Sequence, residues 1–197
     1  MDSLFTPALK AMLRDYYEAS FGPVILEVDK YLKAQGIDPK QTAAHAGIAS
    51  GFHCILDDTG LFHFDHDGEK SLVFEVLDED AATTIDLCAF SIVNPDRFGT
   101  AMGNAPLLGM TNITNPASWT FGKKLHVHRR PLEWLKAGCS GTVILDHLTA
   151  PSFLSRKLGD LLAEDADHAR ELGPILCTPL VDRNSILFPK FPARRAA

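Results

Sequence analysis

No complete catalytic signature runs through this chain. It has no G-x-S-x-G elbow, no G-x-x-x-x-G-K phosphate loop, no H-E-x-x-H zinc helix and no G-x-G-x-x-G dinucleotide turn. The familiar routes to a serine hydrolase, a nucleotide hydrolase, a zinc protease or a dinucleotide enzyme are therefore missing, and a non-catalytic role is expected. Cysteine is sparse. The four present, Cys54, Cys88, Cys139 and Cys177, are far apart and form no C-x-x-C pair, so neither a zinc knuckle nor a dithiol motif is on offer, and free thiols are expected.

Long apolar runs are absent too. Residues 87–90 fall far short of the roughly 20 needed to span a bilayer, and no basic start followed by an apolar stretch marks a signal peptide. The expected compartment is the cytoplasm, with no membrane partner. Basic excess is also lacking: a formal net charge of -6 disfavours nucleic acid as the main ligand, because that affinity comes from phosphate neutralisation by Lys and Arg.

What is present is an ordinary globular composition, 46% hydrophobic and 22% charged, with no linker or repeat that would divide the 197 residues. A single α+β domain is expected, with a mostly antiparallel sheet of five or six strands covered by N-terminal and C-terminal helices. Residues 6–47 read as helical. Thr6-Pro7, Pro23 and Asp38-Pro39 are starts, and Gly22, Gly36 and Gly47 are stops. From Phe52 the apolar period falls to two, giving strands at 52–56, 61–64, 72–77 and 84–92. Asn94-Pro95 predicts a short helix through Phe98 and Met102. Repeated Gly, Asn and Pro then predict a long irregular connection over 103–124, a candidate partner surface with Trp119 and Phe121 as its apolar anchors.

The densest signal follows. Within the 52–148 block, LHVHRR, PLEWLKAG and TVILDHL read as strand, helix and strand. Helices are expected over 150–173, one from Pro151 through Leu161 and Leu162, the next from Glu164 to Gly173-Pro174; the tail over 186–197 should be extended.

Four clusters carry chemistry. His126 and His128, two residues apart on a strand, share a face, and Asp146 with His147 at another strand's end would complete a site for a divalent metal. That set defines the alternative function, a metal-dependent hydrolase or nuclease in which the ion activates water and Arg129 or Arg130 positions a phosphate. No cofactor is otherwise expected. Lys123, Lys124, Arg129 and Arg130, with Trp119 and Phe121 for stacking, form a candidate phosphate or nucleic-acid surface. His63, Asp65, His66, Asp67 and Glu69 crowd one turn, which Asp67-Gly68 explains without a ligand. Glu75, Asp78, Glu79, Asp80 and Asp86 form an acidic run suited to a basic partner or to an ordinary loop.

The run LHVHRRPLEWLKAGCSGTVILD, with IDLCAFSIVNPDRFGTAMGNAPLLG before it and EDADHAREL after it, resembles an uncharacterised group of bacterial proteins encoded in prophage-like and integrated mobile elements, mainly of proteobacteria. The likeness extends from about Leu72 onward and carries no active residues. It implies a setting: a mobile-element accessory protein that binds a macromolecular partner, with a protein as the expected partner.

Overall fold

The alternating strand pattern closes on itself. In the computed structural model, which describes residues 23–38, 49–156 and 159–176 and single positions at 11, 12 and 14, β1 (Ala49–Leu56), β2 (Phe62–Phe64), β3 (Glu69–Leu77), β4 (Thr84–Ser91) and β5 (Phe98–Thr100) form an antiparallel sheet. Its order is β2-β1-β3-β4-β5. The sheet curls until its two outer strands meet, where Leu61 bridges Thr100 and the Thr100 N–H donates to the Gly60 carbonyl at 2.9 Å. Only glycine permits this approach: a Cβ on Gly99 would stand 2.7 Å from the Gly60 oxygen. Strand period two sorts the side chains. Phe52, Cys54, Leu56, Phe62, Val73, Leu87 and Ala89 fill the inside, while Leu72, Phe74, Val76, Cys88 and Phe90 face outward into a second core.

That second core is covered by α1 (Pro23–Ala34), through Val24, Val28 and Leu32, and by Leu132, Trp134 and Leu135. The Trp134 ring stacks on Phe74 with centroids 6.2 Å apart. Beyond lies a smaller sheet of β6 (Leu107–Leu108), β7 (Leu125–His128), β8 (Thr142–Ile144) and β9 (Leu161–Ala163), in the order β6-β8-β7-β9. Strands β7, β8 and β9 are mutually parallel, and β6 is antiparallel to β8. The strand, helix and strand unit read from sequence is thus a β-α-β crossover, β7 to β8 through α3 (Pro131–Lys136). Between β6 and β7 lie α2 (Thr111–Thr114) and two 3-10 turns; α4 (Ala150–Leu154) leads to β9, and α5 (Ala166–Leu176) follows it. Helix α3 packs on one face of this sheet with Val143, and α4 and α5 pack on the other with Leu125, Val127 and Ile144.

The class is α+β as expected, but the strands divide between two sheets, and three local expectations change. Residues 98–100 are β5 rather than helix, because they close the curled sheet. Leu161 and Leu162 lie in β9 rather than in a helix, held by parallel pairing to Leu125 and His126. Helix α5 runs through Gly173 and Pro174 to Leu176. The expected helices over 6–22 and 39–47, apart from helical positions 11, 12 and 14, lie outside the described residues, as do Cys177 and the tail. Among the described residues no helix is long and apolar enough to cross a membrane. Cys54, Cys88 and Cys139 are buried free thiols, and burial pushes Cys54 and Cys139 up to about 12.

The two sheets are joined at Asp86, a fully buried carboxylate on β4. One oxygen accepts the N–H groups of Leu87 (2.8 Å) and Met102 (3.0 Å), and the other accepts those of Asn104 (2.7 Å) and Ala105 (3.3 Å). Burial raises its pKa, and the four donors oppose that rise. They also hold the chain where it leaves β5 for β6. Asp86→Ala should cost about 3 kcal/mol or more by orphaning buried donors, and Asp86→Asn, which keeps one acceptor oxygen, should cost less. Urea denaturation measures both; equal losses would show that the acceptors do not govern the joint.

Candidate functional site: a histidine-lined cleft and an exposed loop apex

Strand β7 carries one feature at each end. At its C-terminal end a cleft of about 410 Å³ opens between β8, α5 and β5. Its apolar wall is Phe98, Val127, Ile144, Leu172 and Ile175, and its polar groups are His128, Arg129, His147, His168 and Glu171. Ligand clefts in sheets with parallel strands favour this edge, where strand ends deliver side chains and the following connections diverge. Here they diverge to opposite faces, toward α3 after β7 and toward α5 after β9.

His128 is buried at the floor. Its Nε2 lies 3.0 Å from the Ser140 carbonyl, which can only accept, so Nε2 carries the proton; its Nδ1 faces Glu164 Oε1 at 3.6 Å. A Cβ on Gly141 would lie 2.9 Å from that Nε2 and 2.5 Å from the His126 carbonyl, so this turn needs glycine. On α5, His168 Nδ1 accepts the Glu164 N–H at 3.2 Å, which leaves the proton of the neutral ring on Nε2. Burial lowers the pKa of both histidines; Ser140 and Glu164 pull His128 partly back, and Arg129 pushes His168 further down.

Arg129 braces the rim. Its guanidinium donates to both oxygens of Asp165, at 2.8 and 3.1 Å, and to both of Glu171, at 3.3 Å. Asp165 in turn accepts the His168 N–H at the start of α5, and its carboxyl is held down at about 2, chiefly by Arg129. One guanidinium thus serves two carboxylates, Glu171 in the lining and Asp165 beside it, while Glu164 accepts the Arg129 backbone N–H at 3.1 Å. Arg130 is engaged as well, 2.7 Å from Asp96.

The sequence candidates separate accordingly. His126 is exposed and stacks on His128 with ring centroids 5.8 Å apart. Asp146 turns back on its own connection, accepting the Leu148 N–H at 2.9 Å and the Thr149 hydroxyl, while His147 is exposed at the cleft mouth. Among the described residues, no three His, Cys, Asp or Glu side chains are grouped so as to hold a metal ion. The hydrolase alternative would need Asp146 to leave Thr149 and reach His128. His168 and Glu171 belong to the cleft yet stand some forty residues downstream of β7, and the only local signal for them was the helix that carries them.

The two turn clusters are built into loops. Asp65 accepts the Asp67 N–H at 2.8 Å, Glu69 pairs with Arg97, and His63 and His66 are exposed. Of the acidic run, Glu79 pairs with Arg156, Asp80 caps its turn through Ala82 and Thr83, and Asp86 is the joint already described.

At the N-terminal end of β7 the chain projects. The first half of the connection over 103–124 enters the core, where Leu107, Leu108, Met110 and Ile113 are buried. Trp119 anchors its last part: Nε1 donates to the Ile113 carbonyl at 3.0 Å, and the ring covers Gly159 so closely that a Cβ there would lie 2.8 Å away. Phe121 does not share that task. Read from sequence as a second anchor, it is 101% exposed, with φ 60° and ψ 32°, a left-handed conformation costing a non-glycine residue about 1–2 kcal/mol. Gly122 is left-handed too, and exposed Lys123 and Lys124 follow. The candidate stacking and phosphate surface thus reduces to Phe121, Lys123 and Lys124.

Because His128 and His168 titrate below the ordinary 6.5 when folded, their neutral forms stabilise the fold above pH 6.5, and that contribution is lost as pH falls through the folded values. The Asp165 contribution is lost only lower, between 3.8 and about 2. Urea midpoints should therefore fall first as the pH drops below 6.5, well before the Asp165 range is reached. His168→Gln, whose amide oxygen can still accept the Glu164 N–H once the side chain turns, should reduce that first slope; a flat profile there would contradict the assignment.

No protein-family model, curated protein or solved structure matches the chain, so the cleft and the apex are interpreted from their own chemistry.

Proposed function

We propose that this protein is a non-catalytic binding protein that engages a protein partner through the loop apex at Phe121, Lys123 and Lys124. The observation that carries the reading is Phe121, an aromatic side chain held wholly in solvent on a strained backbone whose base is fixed by Trp119. Strain persists where the surroundings over-determine it, and such positions concentrate at recognition sites. A buried aromatic anchor ringed by complementary charge is also the usual centre of a protein interface.

Magnitudes separate the partner classes. Full burial of one Phe contributes about 1.5–3 kcal/mol, and two lysines near an anionic bilayer add about 1 kcal/mol each. That total, about 3.5–5 kcal/mol, corresponds to binding close to millimolar, too weak for a membrane anchor. Two lysines neutralise about two phosphates, so nucleic acid would gain little against a net charge of -6. A protein surface adds further contact around the anchor, and the lysines favour one with an apolar recess and an acidic rim. The accessory role within a mobile element is the setting that the sequence resemblance implies, and the cytoplasm is its natural compartment.

Phe121→Gly separates function from folding. Glycine adopts the left-handed conformation freely, so the variant should be more stable by up to about 1 kcal/mol while losing the partner. Immobilised wild type, Phe121→Gly and the Lys123→Glu, Lys124→Glu double variant, exposed to the same host extract, should differ in one retained protein. Retention of that protein by all three, or a marked loss of stability in Phe121→Gly, would overturn the reading.

A further inference from the structure

The partner just described, an apolar recess with an acidic rim, has a counterpart on the molecule itself. The cleft at the far end of β7 has a wall of Phe98, Val127, Ile144, Leu172 and Ile175, and its mouth carries Glu171, with Asp165 beside it, on the single guanidinium of Arg129. We propose that the protein recognises a second copy of itself, with Phe121 of one copy seated in the cleft of the next and Lys123 and Lys124 facing its acidic mouth. This rests on the reading of Phe121 as a binding residue and names what it binds.

Three observations support the pairing. Size agrees: the cleft holds about 410 Å³, within the range of pockets that bury drug-sized groups, so one phenyl ring enters with room for its neighbours. Charge agrees, since two exposed lysines meet a mouth where Glu171, and Asp165 beside it, share the single guanidinium of Arg129. Topology prevents the same contact within one chain. The apex precedes β7 and the cleft follows it, and Lys124 and Arg129 lie five strand residues apart, roughly 16 Å, at opposite ends of the sheet. A projection at one end and a recess at the other make a head-to-tail interface. Such a contact does not close as a two-fold dimer; it builds rings or open chains.

The histidines make the contact sensitive to acid. His128, His147 and His168 line the cleft; from the surrounding elements Glu164, Asp165, Glu171 and Arg129 face them, and the Ser140 carbonyl holds His128. Protonation of His128 and His168 would bring positive charge to the surface that receives the lysines.

Complementation tests the interface. Light scattering on the full-length wild type, from about 10 µM to about 1 mM, the range where small interfaces associate, should show mass rising above 21.5 kDa with concentration. Phe121→Gly, with a cleft but no projection, and His147→Trp, with a projection but a filled cleft mouth, should each remain monomeric. Both positions are exposed, and thermal melts check that both variants fold. Mixed, they should form a 1:1 heterodimer that grows no further, since only one productive contact remains, and acidification from pH 7.5 to 5.5 should weaken it.

A wild type that stays monomeric throughout, assembly by Phe121→Gly alone, or a mixture that forms no heterodimer would each overturn the proposal. If the wild type is monomeric but Phe121→Gly still releases a host protein, self-recognition fails and the partner-binding reading stands. If neither occurs, both fail.

Discussion

The fold depends on one carboxylate. Asp86 sits on the last long strand of the curled sheet, and its two oxygens collect four backbone N–H groups, three of them from the segment that crosses into the second sheet. A buried charge is tolerated only where such donors replace water. Here they also set where β6 begins, and β6 in turn sets the second sheet: the Pro106 carbonyl accepts the N–H groups of Leu145 and Asp146, and the Leu108 carbonyl accepts the Thr142 hydroxyl at 2.6 Å. Trp134 and Asn112 then converge on the Gly141 carbonyl. The position of β7, and of what stands at its two ends, follows from that chain of contacts.

The two ends of β7 differ in physical character. The C-terminal end is polar and cross-braced. Arg129 ties the strand to α5 through Asp165 and Glu171, and His128 ties it to the turn before β8, so the cleft has a rigid wall. The N-terminal end is braced by Trp119, and beyond it an aromatic ring is held in water on a strained backbone. Both features arise from one short strand, which gives the recess and the projection a defined spacing.

Much of the first sheet was legible in sequence. Alternation from Phe52 to Phe90 is a local property, written in adjacent residues, and strands form over each of the expected stretches, pairing in chain-local antiparallel register. The parallel sheet was harder, because its pairing partners are far apart in sequence. Leu158, Leu161 and Leu162 repeat at helical spacing, and only pairing with Leu125 and His126 makes β9 a strand. Strand β5 was hidden for a similar reason. Asn94-Pro95 reads as a helix start until Gly60 is seen against Gly99. At the site, His128, Arg129 and His147 were marked in advance, whereas His168 and Glu171 were not, since a histidine on an amphipathic helix carries no sign of what it will face. Trp119 and Phe121 were given one role, and the structure gives them opposite ones. Composition treats two aromatics alike, and the left-handed turn that separates them is not written in their identity.

The closure of the curled sheet bears on how this chain behaves in crowded solution. Long apolar strands normally expose a row of unpaired backbone groups that can template the addition of a foreign strand, the first step of aggregation. Here Leu61 and Thr100 join the outer strands, and the edge strands of the second sheet, β6 and β9, are two and three residues long. Such short edges give little purchase for backbone-to-backbone templating. Contacts with other molecules are thereby directed to side chains, where shape and charge can discriminate one surface from another.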